Sequence, residues 1–156
     1  MSLLPFFRWF DGSWIGTTIR MSTYLFPAIE VLHLIGLVLL LGTVIVVDLR
    51  LLGFGLRRQS VTRVAQEVAP WTLLGVATML ITGFLLLLSE AVKCYQNDAF
   101  WFKMEFLLPA LIFHFTVYRK VTSSDKIRPV WARLTACLSL ALWFGVGLGG
   151  RAIAFV

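Results

Sequence analysis

Apolar residues run along this chain in four long blocks separated by short polar connections. The first block, from about Tyr24 to Val47, carries one acid and one imidazole, Glu30 and His33. The second runs from about Ala69 to Ser89, the third from about Ala99 to Tyr118, and the fourth from about Val130 to Gly150. A helix rises about 1.5 Å per residue and the hydrocarbon layer is roughly 30 Å thick, so each block has the length of a membrane span. Ser22 stands where an N-cap of the first span is expected, with Pro27 in its first turns. Pro70 and Trp71 are expected to open the second span, and Pro109 is expected to kink the third. Short connections between such spans predict an all-α integral membrane fold, a four-helix up-down-up-down transmembrane bundle in which residues 1–156 form a single domain. Spans one and three are then parallel and diagonal.

Ahead of the first span, residues 2–20 are rich in aromatic side chains. Phe6, Phe10 and Trp14 recur every four residues and so share one helical face. Arg8, Asp11 and Arg20 interrupt the run, so a signal peptide is not expected and an N-terminal interfacial helix is.

Composition agrees with lipid as the solvent. The chain is 59% hydrophobic with a mean hydropathy of +0.87, against roughly 45–50% apolar residues in a soluble domain. The net charge of +6 is not a nucleic-acid signal, because of where it lies. Nine of the fourteen Lys and Arg residues fall in or beside the connections after spans one and three: Arg50, Arg57, Arg58, Arg63, Arg119, Lys120, Lys126, Arg128 and Arg133. The positive-inside bias puts those connections in the cytoplasm, with both termini and the connection holding Cys94 on the periplasmic side. Cys94 and Cys137 are in different settings, a loop and a span, and no Cys-x-x-Cys pattern exists. A disulfide, a zinc ribbon and a covalently attached haem are therefore not expected.

Charged or imidazole groups inside a span ask for a partner, a cofactor or a proton path. Glu30 and His33 lie about one turn apart, and Lys103 and His114 lie eleven residues apart, close to three turns, on one face of span three. Counted back from Arg50 and Arg119, His33 and Lys103 are level, each about 24–26 Å from the basic end. His114 is offset from His33 by about 17 Å on that count and by about 9 Å when counted from the other ends. His33 suits axial ligation of haem iron, and His114 is a second ligand if a kink at Pro109 closes the offset. The plainer alternative has Glu30 and His33 hydrogen-bonding across helices, with Lys103 as the counter-ion of Glu30. Arg151 at the outer end of span four either pairs with haem propionates or simply stops the span. Trp101 is either a haem-edge neighbour or an interfacial belt residue. Gly145 and Gly149 form a GxxxG pair that lets a helix approach closely, within the bundle or in a homo-oligomer.

Glu30-x-x-His33-x-x-Gly36, Asp48-Leu49-Arg50-Leu51-Leu52-Gly53, Lys103 and Phe113-His114 together resemble small bacterial inner-membrane proteins of unknown function. More distantly, His33-Leu34-Ile35-Gly36 and the Trp101, Lys103 and His114 spacing are similar to HemJ-type protoporphyrinogen oxidases and CopD-like membrane proteins. The resemblance implies one haem b per chain, His33 as its ligand and Lys103 as a functional partner. The glycine run and Arg151 of the fourth span have no counterpart in that pattern.

The expected function is electron transfer or an oxidoreductase reaction with a quinone-like or porphyrin-like partner. Haem-free alternatives are a transporter or channel subunit in which Glu30, Lys103 and the histidines relay protons or ions, and a structural membrane subunit.

Overall fold

A computed structural model describes residues 3–55, 58–124, 128–153 and 155. Among the described residues the regular structure is helical: α1 (Leu4–Asp11), α2 (Trp14–Met21), α3 (Leu25–Leu52), α4 (Val61–Ser89), α5 (Ala91–Tyr95), α6 (Asp98–Phe113), a π turn (His114–Tyr118), α7 (Arg119–Thr122) and α8 (Pro129–Ala152). Four stretches are long and apolar enough to cross a membrane: α3, α4, Asp98–Thr122 and α8. Large apolar side chains such as Val38, Ile81, Leu108 and Leu148 are exposed around them, as lipid-facing residues are. Ser2, Arg57 and Lys126 of the sequence reading lie outside the described residues.

The interfacial segment is two helices. Gly12 ends α1, and Ser13 starts α2 by accepting a hydrogen bond from the Gly16 amide at 3.1 Å. Gly16 is buried against the Leu88 carbonyl, so α2 rests on the end of α4. Arg20 fixes the pair, reaching Asp11 at 3.0 Å and the Ser89 carbonyl at 3.1 Å. Phe7 of α1 is buried among Tyr95, Phe100 and Trp101.

Span two begins earlier than the sequence suggests, and Pro70 lies inside it. Ser60 caps the start, accepting from the Arg63 amide at 3.2 Å. Val61, Val64, Ala65 and Val68 then present one helical stripe to Val47, Leu51 and Tyr118. That packing carries the helix past the proline, whose own ring is exposed. Span three is capped by Asn97, which accepts from the amides of Ala99 and Phe100 at 2.9 and 3.3 Å. Gly53 takes the left-handed conformation (φ 89°) that closes α3.

In lipid, apolar burial does not drive helices together, so close packing of small residues does more of the work. A Cβ on Gly75 would come within 2.9–3.0 Å of the Leu40 backbone, which draws α4 tightly onto α3. A Cβ on Gly149 would come within 3.0 Å of Lys103 Cα, and one on Gly145 would strike the Phe106 ring. Both glycines are buried against span three of the same chain, so this pair does not offer the free homo-oligomer contact considered above. Span one packs mainly on spans two and four, and span four on span three. Spans two and three meet chiefly near the basic end, where α4 touches α7. Lateral space is left between them, and two cavities occupy it.

Candidate functional site

The larger cavity, about 480 Å³, lies in the half of the bundle away from the basic connections. All four spans line it. Glu30 and His33 come from α3, Gly83 from α4, Lys103 from α6, and Gly150 and Arg151 from α8. His33 and Lys103, which helix rise puts on one level, line this same cavity, and Glu30 and Arg151 join them. Glu30 and Arg151 are exposed and stand at the rim, while His33 and Lys103 are half-buried. Among the described residues Glu30 and Lys103 form no ion pair, so Lys103 is not the counter-ion of Glu30. Arg151 lies over the Phe155 ring, 4.5 Å from its centroid.

The state of His33 follows from its neighbour. Its Nδ1 lies 2.8 Å from Thr82 Oγ1. The single Thr82 hydroxyl proton is already donated to the Thr78 carbonyl at 2.6 Å. Thr82 can therefore only accept from the ring, which makes Nδ1 the protonated nitrogen and leaves the lone pair on Nε2. An imidazole whose second nitrogen donates to a fixed acceptor is oriented as metal-ligating histidines are. Gly83 lies beneath the ring: a Cβ there would stand 3.1 Å from His33 Cε1. The sequence does not single out Thr82; its signal is the Thr78 and Thr82 pair, one turn apart in an otherwise apolar span.

Lys103 is packed against the glycines of α8, and a Cβ on Gly150 would lie 3.8 Å from its Nζ. The glycine run thus gives the lysine its channel. Toward the α5 end the cavity is lined by Glu90, Lys93, Cys94 and Asn97. Lys93 reaches the Glu90 carboxylate at 3.3 Å. Burial pushes the Cys94 thiol up from its ordinary value; Glu90 adds to the effect, and Lys103 and Lys93 oppose it.

Two expected members are elsewhere. His114 lines the other cavity, about 280 Å³, with Thr72, Tyr118 and Arg119. It stacks on Tyr118 (ring centroids 4.9 Å apart, 22° between planes) and meets the edge of Trp143. Pro109 does not close the offset. It lies within the helix, and the residues of α6 that line the His33 cavity are Phe100 and Lys103, the latter roughly 16 Å of helix from His114. A shared iron between His33 and His114 is therefore not supported by the arrangement. Trp101 does not line the His33 cavity either. It sits in the aromatic cluster around Phe7, and its Nε1–H donates to the Tyr95 carbonyl at 2.9 Å.

Among the described residues no three His, Cys, Asp or Glu side chains gather as a metal site would need. What the cavity offers is one imidazole nitrogen, apolar walls including Leu37, Met79 and Phe100, and cationic groups at Lys93, Lys103 and Arg151. Its volume lies in the range of small-molecule and cofactor pockets, roughly 300–1,000 Å³.

Neither the curated proteins nor the solved structures contain a match to this chain. A family model does match, over residues 6–156 and so over both the cavity and the interfacial helices. The chain belongs to the family of unknown function DUF6644.

Proposed function

We propose that this membrane protein binds one b-type haem in the His33 cavity and passes electrons between a membrane or periplasmic donor and a quinone-like or porphyrin-like partner. The observation that carries the reading is the His33 tautomer set by Thr82, which leaves the Nε2 lone pair free on a residue that lines a cavity with apolar walls. His33 would be the axial ligand, and Thr82 would hold its ring. Arg151, which lines the cavity, would pair with acidic substituents. When bound, the iron supplies the one-electron chemistry. The chain's own residues exclude water, orient the ligand and balance its charge. Glu30 and Lys103, unpaired with each other, are available to hold or move protons at the cavity. The basic end is proposed to face the cytoplasm of a bacterial inner membrane, with both termini periplasmic.

A reduced-minus-oxidised absorption spectrum of purified protein tests this. A Soret band is expected in wild type and in His114→Ala, and is expected to be lost in His33→Ala. Thr82→Val removes the acceptor that orients the ring and is expected to weaken haem affinity about 10–100-fold. Protein that shows no Soret band after haem supplementation sinks the proposal.

One observation favours a second reading, a haem-free proton or ion relay: Glu30, Lys103 and His33 line one cavity with no ion pair between Glu30 and Lys103. A pH-dependent flux abolished by Glu30→Gln, in protein without a chromophore, would select it.

A further inference from the structure

A second polar group lies in the other half of the bundle, and the His33 cavity does not use it. Asp48 of α3 is 0% exposed, and neither of its carboxylate oxygens has a hydrogen-bond partner. The Tyr118 and Ser139 hydroxyls face it, from the π turn and from α8, without completed hydrogen bonds. His114 Nδ1 and Trp143 Nε1 are likewise buried and without partners. These atoms belong to one contiguous layer. Tyr118 stacks on His114, His114 abuts Trp143, and Ser139 and Trp143 are one turn apart on α8. Apolar clusters lie to either side, one around Leu40 and Val146, the other around Val47 and Ala136.

An ionised carboxylate in such a place costs several kcal/mol or more unless a cation or a full set of donors meets it. Among the described residues no basic side chain does so. Arg50, on the same helix, turns away to the Gln59 carbonyl at 2.8 Å. Arg119 lines the neighbouring cavity and is exposed, as is Arg133 of α8. From α4 come Val64 and Val68, and the charges of that helix, Arg63 and Glu67, pair with each other outside. The remaining titratable neighbours are Tyr118 and, behind it, His114. A metal cation is poorly served, because the layer offers one carboxylate and two hydroxyls beside an indole N–H that repels positive charge. A proton serves all three groups. The carboxyl O–H can donate to one hydroxyl while its carbonyl accepts from the other, which gives Asp48, Tyr118 and Ser139 partners without a buried charge.

We propose that Asp48 is a proton-binding site: its carboxylate takes up one proton from water at the basic end, two residues away at Arg50, and holds it as a neutral carboxyl group between Tyr118 and Ser139. The layer then gives the protein a proton-exchange step in the half of the bundle opposite the His33 cavity. This step does not depend on haem.

Infrared difference spectra of the full-length protein in lipid, wild type against Asp48→Asn, read this directly. At neutral pH a carboxylic C=O band is expected in wild type. It is expected to be lost in Asp48→Asn and to shift downward in D2O. If Asp48→Asn does not fold, Tyr118→Phe reads the same group, because loss of one hydrogen bond should move the band upward without removing it. Three outcomes overturn the proposal: ionised carboxylate bands assigned to Asp48, bands that respond to added sodium or potassium, or a C=O band unmoved by both D2O and Tyr118→Phe.

Discussion

At the scale of single residues, the cavity is organised by one proton. Because Thr82 spends its hydroxyl proton on the Thr78 carbonyl, His33 must donate from Nδ1, and the opposite ring nitrogen is left able to bind. Cys94, on the cavity wall outside the spans, reports on the same space. Its thiol is pushed up by burial first and by Glu90 second, so less of it is thiolate at a given pH, and thiolate is the reacting form. In a Cys137→Ser background, alkylation of Cys94 at neutral pH should be slower than that of a free thiol. The rate should climb as pH rises beyond the usual thiol range. A rate at neutral pH equal to that of the denatured chain would show that the cavity does not desolvate the thiol. Of this residue-level picture, Glu30, His33, Lys103 and Arg151 were legible in the sequence, because charge in an apolar run is conspicuous. Thr82 and Asp48 were not. A threonine is ordinary in a span, and Asp48 beside Arg50 reads as the polar end of a helix until packing turns it inward.

At the scale of elements, α8 is shaped by what it lies against. Gly149 brings it onto the Lys103 backbone, and Gly145 admits the Phe106 ring. Gly149→Leu should therefore lower stability by about 1–3 kcal/mol through overpacking, read as an earlier unfolding midpoint in detergent, with no change in oligomeric mass. A loss of oligomer with unchanged stability would instead place the glycines at a subunit contact. The GxxxG spacing was visible in the sequence, but spacing alone does not say which helix fills the groove. Pro70 makes the same point: local chemistry marks a helix start, and the stripe from Val61 to Val68 overrides it by packing on α3 and the π turn.

At the scale of the whole molecule, the interfacial pair α1 and α2 closes the end of the bundle next to the His33 cavity. It is held by Phe7 in its aromatic cluster, by Gly16 against α4, and by Arg20. The Arg20 to Asp11 pair is partly exposed, and such pairs contribute roughly 0.2–1 kcal/mol. Arg20→Ala should accordingly leave the spans intact and release the cap locally. Amide exchange over residues 4–21 should quicken while exchange in α3 and α4 stays slow. Uniform quickening across the spans would mean that the cap is integral to the bundle.

Hydrophobic periodicity and length determined that the chain is a bundle of four membrane spans with an amphipathic segment ahead of it, because those properties are set by transfer between water and lipid and need no knowledge of neighbours. Helix rise was also enough to group His33 with Lys103, and the two line one cavity. Which side chains meet was decided only by the tertiary structure. Spans two and three stay apart along much of their length, and the space between them holds two cavities in place of one. That separation assigns His33 and His114 to different chambers, and the inward turn of Asp48 gives the second chamber's half a polar layer of its own. Depth along a helix is written in residue number, whereas its rotation and its choice of neighbour depend on close packing between helices, which no single span encodes.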